Sequence, residues 1–257
     1  MRVVSLTCSN TEIVCALGCE ELLVGVDRHS DFPAEVVDAL PRVGPDLQID
    51  VDAVMDLGPD LVLASLTVPG HENVVAEVEA AGLEYLAPEP VSLNDVYANI
   101  REIARALGVP ERGERLAREM RAELVDRGEA RVRPRVIVQW WPRPTIAPGA
   151  LSWVTDVLTF VGAENPLGHE RVKSRPVSDS ELADLEPDVL VLSWCGVAPE
   201  KVRPDVVLNN PALQAVKAVR NGHVFCVPEA FLGRPGPRLV EGYRALSGMT
   251  EAVRERR

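Results

Sequence analysis

The side chains in this sequence best suited to holding a ligand are a few aromatic rings and one histidine. Only 4% of the 257 residues are aromatic, yet Phe32, Trp140, Trp141, Trp194 and Phe231 all follow directly on segments that read as strands. Flat rings placed around a concave surface suit a broad, apolar, ring-rich ligand. The competing reading is that they pack each lobe's own core. Ligand contact is the expectation for Trp141 and Trp194, and for Phe32 both readings stand. His29 occupies a similar place. Its imidazole could hydrogen-bond a ligand amide or reach a metal carried inside a ligand, and the alternative is a solvated loop histidine. No direct metal site is expected, because His29, His71, His169 and His223 lack ligand spacing. Cys8 and Cys195 also follow strands, one in each half. Catalysis finds no motif: there is no GxSxG elbow, HExxH, GxGxxG or phosphate-binding glycine loop.

These residues are positioned by a duplicated framework. Leu57-Gly-Pro-Asp-Leu-Val-Leu-Ala-Ser65 matches Leu185-Glu-Pro-Asp-Val-Leu-Val-Leu-Ser193 at a shift of 128. Gly82–Glu89 matches Gly222–Glu229 at a shift of 140. Ordered similarity of this length predicts two copies of one α/β unit, and two lobes in one chain usually enclose a cleft. The expected division is an N-terminal lobe over 1–91, a helical region over 92–133 and a C-terminal lobe over 134–257.

Strands are expected at 3–6, 24–26, 61–64, 84–86, 135–139, 189–192 and 224–227, separated by helices and therefore parallel. Ser9 or Asn10 is the expected cap of the first helix. Glu111–Glu129, with Leu116, Met120 and Leu124 on one stripe, predicts a single helix about 28 Å long joining the lobes. Ligands of parallel sheets sit beyond the carboxyl ends of the strands. That rule selects the loops 7–11, 28–33, 65–72, 140–149, 193–199 and 229–237, which hold the five aromatic residues, His29, Cys8 and Cys195. Glu72 and Glu200, again 128 apart, would top the two lobes and could meet arginine pockets on a symmetric partner.

Composition narrows the class. A net charge of −12 argues against nucleic acid, whose phosphates need clustered Lys and Arg. No apolar run is long enough for a bilayer, so no membrane insertion is expected. The chain opens at Met1-Arg2 and enters a strand at once, which predicts a cytoplasmic protein, or an extracytoplasmic one if a leader has been removed. The five cysteines form no CxxC pattern and read as reduced, mostly buried thiols.

Along its whole length the chain resembles the class III periplasmic-binding-protein family, in its vitamin B12 (cobalamin) branch. The likeness rests on Ser9-Asn-Thr-Glu12, Ser30-Asp-Phe-Pro33, Pro41-Arg-Val-Gly44, the strand Leu57–Leu63, Gly162-Ala-Glu-Asn165, Leu192-Ser-Trp-Cys-Gly196 and Arg234–Gly242. It implies two Rossmann-like lobes with parallel sheets joined by one long α-helix. It implies a non-enzymatic, monomeric receptor with no cofactor of its own, holding cobalamin or a related corrinoid between aromatic residues. His29, Phe231 and Arg234 stand at ligand-contacting positions of the family, and Glu72 and Glu200 match the pair that docks on the permease dimer of an ABC importer. Ser65 stands where relatives can carry Trp, and Cys8 where Pro is common. Siderophore and heme receptors share the scaffold, and the candidate cations for such ligands are Arg28, Arg143 and Arg234. A corrinoid-processing enzyme would need His29 and Asp31 in working geometry.

Overall fold

The repeated Leu-x-Pro-Asp segments build the same corner twice. In the computed structural model, which describes residues 1–127 and 133–255, each ends a short helix and feeds a buried strand. The backbone N–H of Arg2 donates to Asp60 Oδ2 at 2.7 Å while its guanidinium Nε donates to Leu57 O at 3.0 Å. Arg135 repeats this with Asp188 Oδ2 at 2.8 Å and Leu185 O at 2.9 Å. In both copies an arginine closes the carbonyl end of the helix, where C=O groups lack intrahelical partners. The second residue of each corner is left-handed: Gly58 at φ 54° and Glu186 at φ 43°. Glycine adopts that conformation without a Cβ clash, and glutamate does not. Glu186→Gly is therefore expected to raise stability by about 0.5–1 kcal/mol. The check is a higher urea midpoint at unchanged slope; an unchanged midpoint would show that the corner carries no strain.

The described residues cluster in two compact units, Met1–Pro90 with Asn94–Met120, and Val91–Leu93 with Arg121 onward. The first contains β1 (Val3–Ser5), α1 (Cys8–Ala16), β2 (Leu23–Val26), α2 (Ala34–Val37), α3 (Val51–Asp56), β3 (Leu61–Leu63), α4 (His71–Ala80) and β4 (Tyr85–Leu86). Then come α5 (Leu93–Ala106) and α6 (Pro110–Glu123), and the division between the units falls inside α6. The sheet order is β2-β1-β3-β4, parallel throughout, with Val3 opposite both Leu23 and Leu61. Its strands are short, apolar and mostly buried, as a sheet covered on both faces requires.

The second unit holds β5 (Val136–Gln139), β6 (Trp141–Pro142), β7 (Thr145–Pro148), α7 (Trp153–Phe160), β8 (Ser174–Val177), α8 (Asp179–Asp184) and β9 (Val189–Leu192). It continues with α9 (Pro204–Leu208), α10 (Lys217–Arg220), β10 (Val224–Cys226), α11 (Glu229–Leu232) and α12 (Leu239–Glu255). Strands β10, β9 and β5 form a parallel sheet in that order. The parallel α/β class expected from the sequence is the one observed.

Four local expectations need correction. Helix α1 starts at Cys8 with Thr7 at the cap position, not at Ser9 or Asn10. Asn10 is buried instead and donates to Ala64 O at 2.7 Å, tying α1 to the end of β3. Helix α6 ends at Glu123, short of the expected Glu129; Gly128 and Glu129 lie outside the described residues. Its buried stripe is Gly113, Ala117 and Met120, with Leu116 only half-buried. The segment 140–149, read as a loop, forms β6 and β7, which pair with β8 in a third, antiparallel sheet. Pro142, Pro144 and Pro148 mask those strands in the sequence, and prolines fit only where no ladder N–H is needed.

Candidate functional site

In the first unit, the loops beyond the strand ends are held by a polar framework rather than by apolar packing. Asp27 is buried at the end of β2 and accepts the His29 N–H at 2.7 Å and the Ser30 hydroxyl at 2.5 Å. Thr11 of α1 donates to Ser5 at 2.8 Å and shares a 2.8 Å hydrogen bond with Ser30. Arg42 closes the loop from the other side, donating to Asp27 O at 3.1 Å, Ser30 O at 2.5 Å and Val37 O at 3.0 Å. His29 and Phe32 thus project from a fixed loop, both exposed, with Phe32 46% exposed. Burial pushes the Asp27 carboxyl above its ordinary range, against the opposing effect of the Ser30 and His29 donors.

Asp46 joins two histidines that are distant in sequence. His71 Nε2 lies 3.4 Å from Asp46 Oδ2, and His29 Nε2 lies 3.8 Å from Oδ1. His71 Nδ1 accepts the Val68 N–H at 3.3 Å, so the ring proton is assigned to Nε2, facing the carboxylate. That hydrogen bond holds Asp46 below the usual carboxylate range, with the two imidazoles adding to the effect against desolvation. Among the described residues no group of three or more His, Cys, Asp or Glu could hold a metal ion. Ser65 is buried and its hydroxyl is engaged locally, 3.0 Å from Thr67 Oγ1 and accepting the Thr67 N–H at 3.3 Å. Cys8, the first residue of α1, is half-buried.

In the second unit the aromatic residues part company. Trp194 is only 8% exposed and belongs to the apolar core with Leu190, Leu192 and Leu213. Its indole N–H donates to Gln139 Oε1 at 2.9 Å, and Gln139 Nε2 donates to Thr145 Oγ1 at 2.7 Å. Trp194 is therefore packed into the core of the second unit. A buried indole needs a partner for its N–H, and the Gln139 amide at the end of β5 supplies one. Trp140 is half-buried, its backbone N–H donated to Ile146 O at 2.8 Å. Trp141 is 46% exposed on β6. Among the described residues, the exposed large apolar side chains include just two aromatics, Phe32 and Trp141. Both stand beyond carboxyl ends of parallel strands, β2 and β5.

Two residues past β10, α11 carries Phe231, and Arg234 follows just beyond its end. Phe231 is half-buried, with the Arg238 guanidinium 5.0 Å from its ring centroid, a cation–π contact. Arg234 Nε lies 3.1 Å from Glu229 Oε2, and the two side chains are 10% and 20% exposed. Trp153, unremarked in the sequence, donates its indole N–H to Leu232 O at 2.7 Å and pins α11.

A family model described as periplasmic binding protein matches residues 3–230. The chain belongs to the periplasmic binding protein family. It is 28% identical over 255 residues to the uncharacterized ABC transporter substrate-binding lipoprotein YvrC of Bacillus subtilis, covering 96% of this chain and 78% of that protein. It is 26% identical over 260 residues to the vitamin B12-binding protein of Vibrio parahaemolyticus, covering 100% and 91%. Among solved structures it is similar to the periplasmic heme-binding protein RhuT from Roseiflexus sp. RS-1, with a TM-score of 0.82, 28% identity and 98% of each chain covered.

For a periplasmic binding protein, several placements bear on use. Glu72 lies in the first turn of α4, exposed, its Oε2 accepting the Gly70 N–H at 2.8 Å. Glu200 is exposed in the 3-10 turn Pro199–Lys201, so the 128-residue equivalence holds in sequence but not in local structure. Cys195 and Cys226 are exposed and only Cys19 is fully buried, which corrects the expectation of mostly buried thiols. Burial, with nearby carboxylates, pushes the Cys15 thiol up to about 11. No described helix is long and apolar enough to cross a membrane. Sequence reasoning missed Asp27, Arg42, Asp46, Gln139 and Glu229 as residues that set the loops. Pro41-Arg-Val-Gly44 carried the one available signal, an arginine beside a glycine at φ 107°.

Proposed function

We propose that this chain is the receptor of an ABC-type uptake system and binds cobalamin or a related corrinoid through the loops beyond its strand ends. The observation that carries the reading is the pair of solvent-exposed rings, Phe32 and Trp141, with Phe231 beside them in kind. A macrocycle needs flat apolar surface, and exposed aromatics are what a folded chain otherwise buries. The B12-binding name of the Vibrio relative supports the ligand, and the lipoprotein name of the Bacillus relative supports an extracytoplasmic receptor. In this reading His29 and Arg234 hydrogen-bond peripheral groups of the ligand.

Titration with cyanocobalamin, followed by calorimetry and visible absorbance, tests this directly. Saturable binding is expected, and Trp141→Ala is expected to weaken it by roughly tenfold, the loss of one stacked ring. Absence of binding at millimolar ligand removes the reading. The exposed His29 imidazole and the likeness to RhuT favour heme as the second ligand. Hemin saturating the protein where cyanocobalamin does not would establish that alternative.

Glu72 and Glu200 serve as the permease contacts in this proposal, a role suited to exposed carboxylates. Reversing both charges to Arg is expected to leave cyanocobalamin affinity within about twofold while uptake into cells falls. Undiminished uptake would take the docking role from this pair.

A further inference from the structure

We propose that His71 is an acid-sensitive latch on the turn between β3 and α4, closed while its ring is neutral and opened when the ring takes up a second proton. The turn, residues 64–70, is held largely by side chains. The Thr67 N–H donates to Ser65 Oγ at 3.3 Å, the Val68 N–H to His71 Nδ1 at 3.3 Å and the Gly70 N–H to Glu72 Oε2 at 2.8 Å. Pro69 has no N–H to give. A hydroxyl and a carboxylate keep a lone pair for the backbone at any pH near neutral, whereas an imidazole that gains a proton has none left.

In its neutral form the ring suits both neighbours, Nε2–H turned to Asp46 Oδ2 at 3.4 Å and the Nδ1 lone pair to the Val68 N–H. A second proton must sit on Nδ1, where it points at that N–H. Two donors then meet, and one has to withdraw. The ring is the anchored party: its side chain is 4% exposed, and the added charge strengthens its bond to Asp46. Val68 is 43% exposed, so the turn has solvent to move into and water to take up its N–H.

The charged groups around the ring fit this role. Asp46 supplies the countercharge, and its carboxyl, held low chiefly by the His71 bond, stays ionised while the ring titrates. His29 Nε2 lies 3.8 Å from the other oxygen of Asp46 and competes for it. Buried Asp27 acts on both Asp46 and His29; burial pushes its carboxyl up, so it is a second group able to change charge. The Arg42 guanidinium is taken by the Asp27, Ser30 and Val37 carbonyls. Glu72 follows His71 on α4, and opening the turn withdraws the Gly70 N–H that it accepts. In the docking role proposed for Glu72 the permease contact becomes sensitive to acid, but the latch itself depends on neither ligand nor permease.

Amide hydrogen exchange resolved by NMR on the full chain, with no ligand added, is the test. Protection of the Val68 amide, corrected for the intrinsic pH dependence of exchange, is expected to fall roughly tenfold between about pH 8 and about pH 5, the loss of one hydrogen bond. The fall should share its midpoint with the His71 ring signals. His71→Asn puts an amide oxygen in place of Nδ1 and does not titrate, so its Val68 protection should stay level. His29→Gln leaves the latch intact and should keep the fall. A His71 ring that holds one form across the range overturns the proposal, as does Val68 protection that never falls. An equal fall in His71→Asn also overturns it and gives the effect to Asp27. Should His71→Asn fail to fold, the shared midpoint of ring and amide in the unmodified protein still decides.

Discussion

Gly242→Ala is expected to destabilise the protein by about 3 kcal/mol and, on the corrinoid proposal, to weaken cyanocobalamin binding beyond what Trp141→Ala does. Gly242 lies in α12 where α11 crosses closest. A Cβ there would fall 2.2 Å from Phe231 O and 2.6 Å from Leu232 Cδ2. Backbone cannot give way as a flexible side chain can, and the hydrogen bond from Trp153 to Leu232 O resists retreat of α11. The displaced turn carries Phe231 and leads, three residues on, to Arg234, so on that proposal stability and affinity should fall together. Gly248 of the same helix is the control, since nothing lies within 4 Å of its Cβ position. Gly248→Ala should be neutral or stabilising by up to about 1 kcal/mol, the helix preference for alanine. Chemical unfolding of both variants decides: equal midpoints would show that the close approach at Gly242 is unimportant.

Asp188→Ala should cost about 1–3 kcal/mol, whereas Asp60→Ala, its counterpart in the first repeat, should cost under about 1 kcal/mol. Both carboxylates accept the N–H of the arginine that begins the preceding strand segment. Asp188 is 3% exposed, and besides the partly exposed Lys217 ammonium at 2.8 Å it takes the Arg135 N–H, so its removal leaves that backbone donor without its buried acceptor. Asp60 is 61% exposed and water replaces it. Urea unfolding of the two alanine variants measures the difference, and equal losses would mean that burial of the Asp188 carboxylate adds nothing over the shared corner.

Those two aspartates show how far the chain could be read without coordinates. The Pro-Asp corner, the strand that follows it and the parallel order were legible, because local turn chemistry and short apolar runs of Val and Leu separated by helices suffice to specify them. The sheet β6-β7-β8 was not legible: its partners, Thr145–Pro148 and Ser174–Val177, are far apart in sequence and interrupted by proline. Arg42 and Asp46 were likewise invisible as framework residues, since each acts on carbonyls or imidazoles brought near only by folding.

The sequence by itself determined a duplicated parallel α/β plan and put the aromatic residues at strand ends, since strand, turn and helix signals are local and were repeated. Tertiary structure alone decided what each ring does. Trp194 went inward because Gln139, on a neighbouring strand, takes its N–H. Trp141 stayed in solvent because it sits on β6, at the edge of a sheet that no local signal announced. Burial depends on the residues that arrive from elsewhere in the chain, and so does the difference between a core ring and an exposed one.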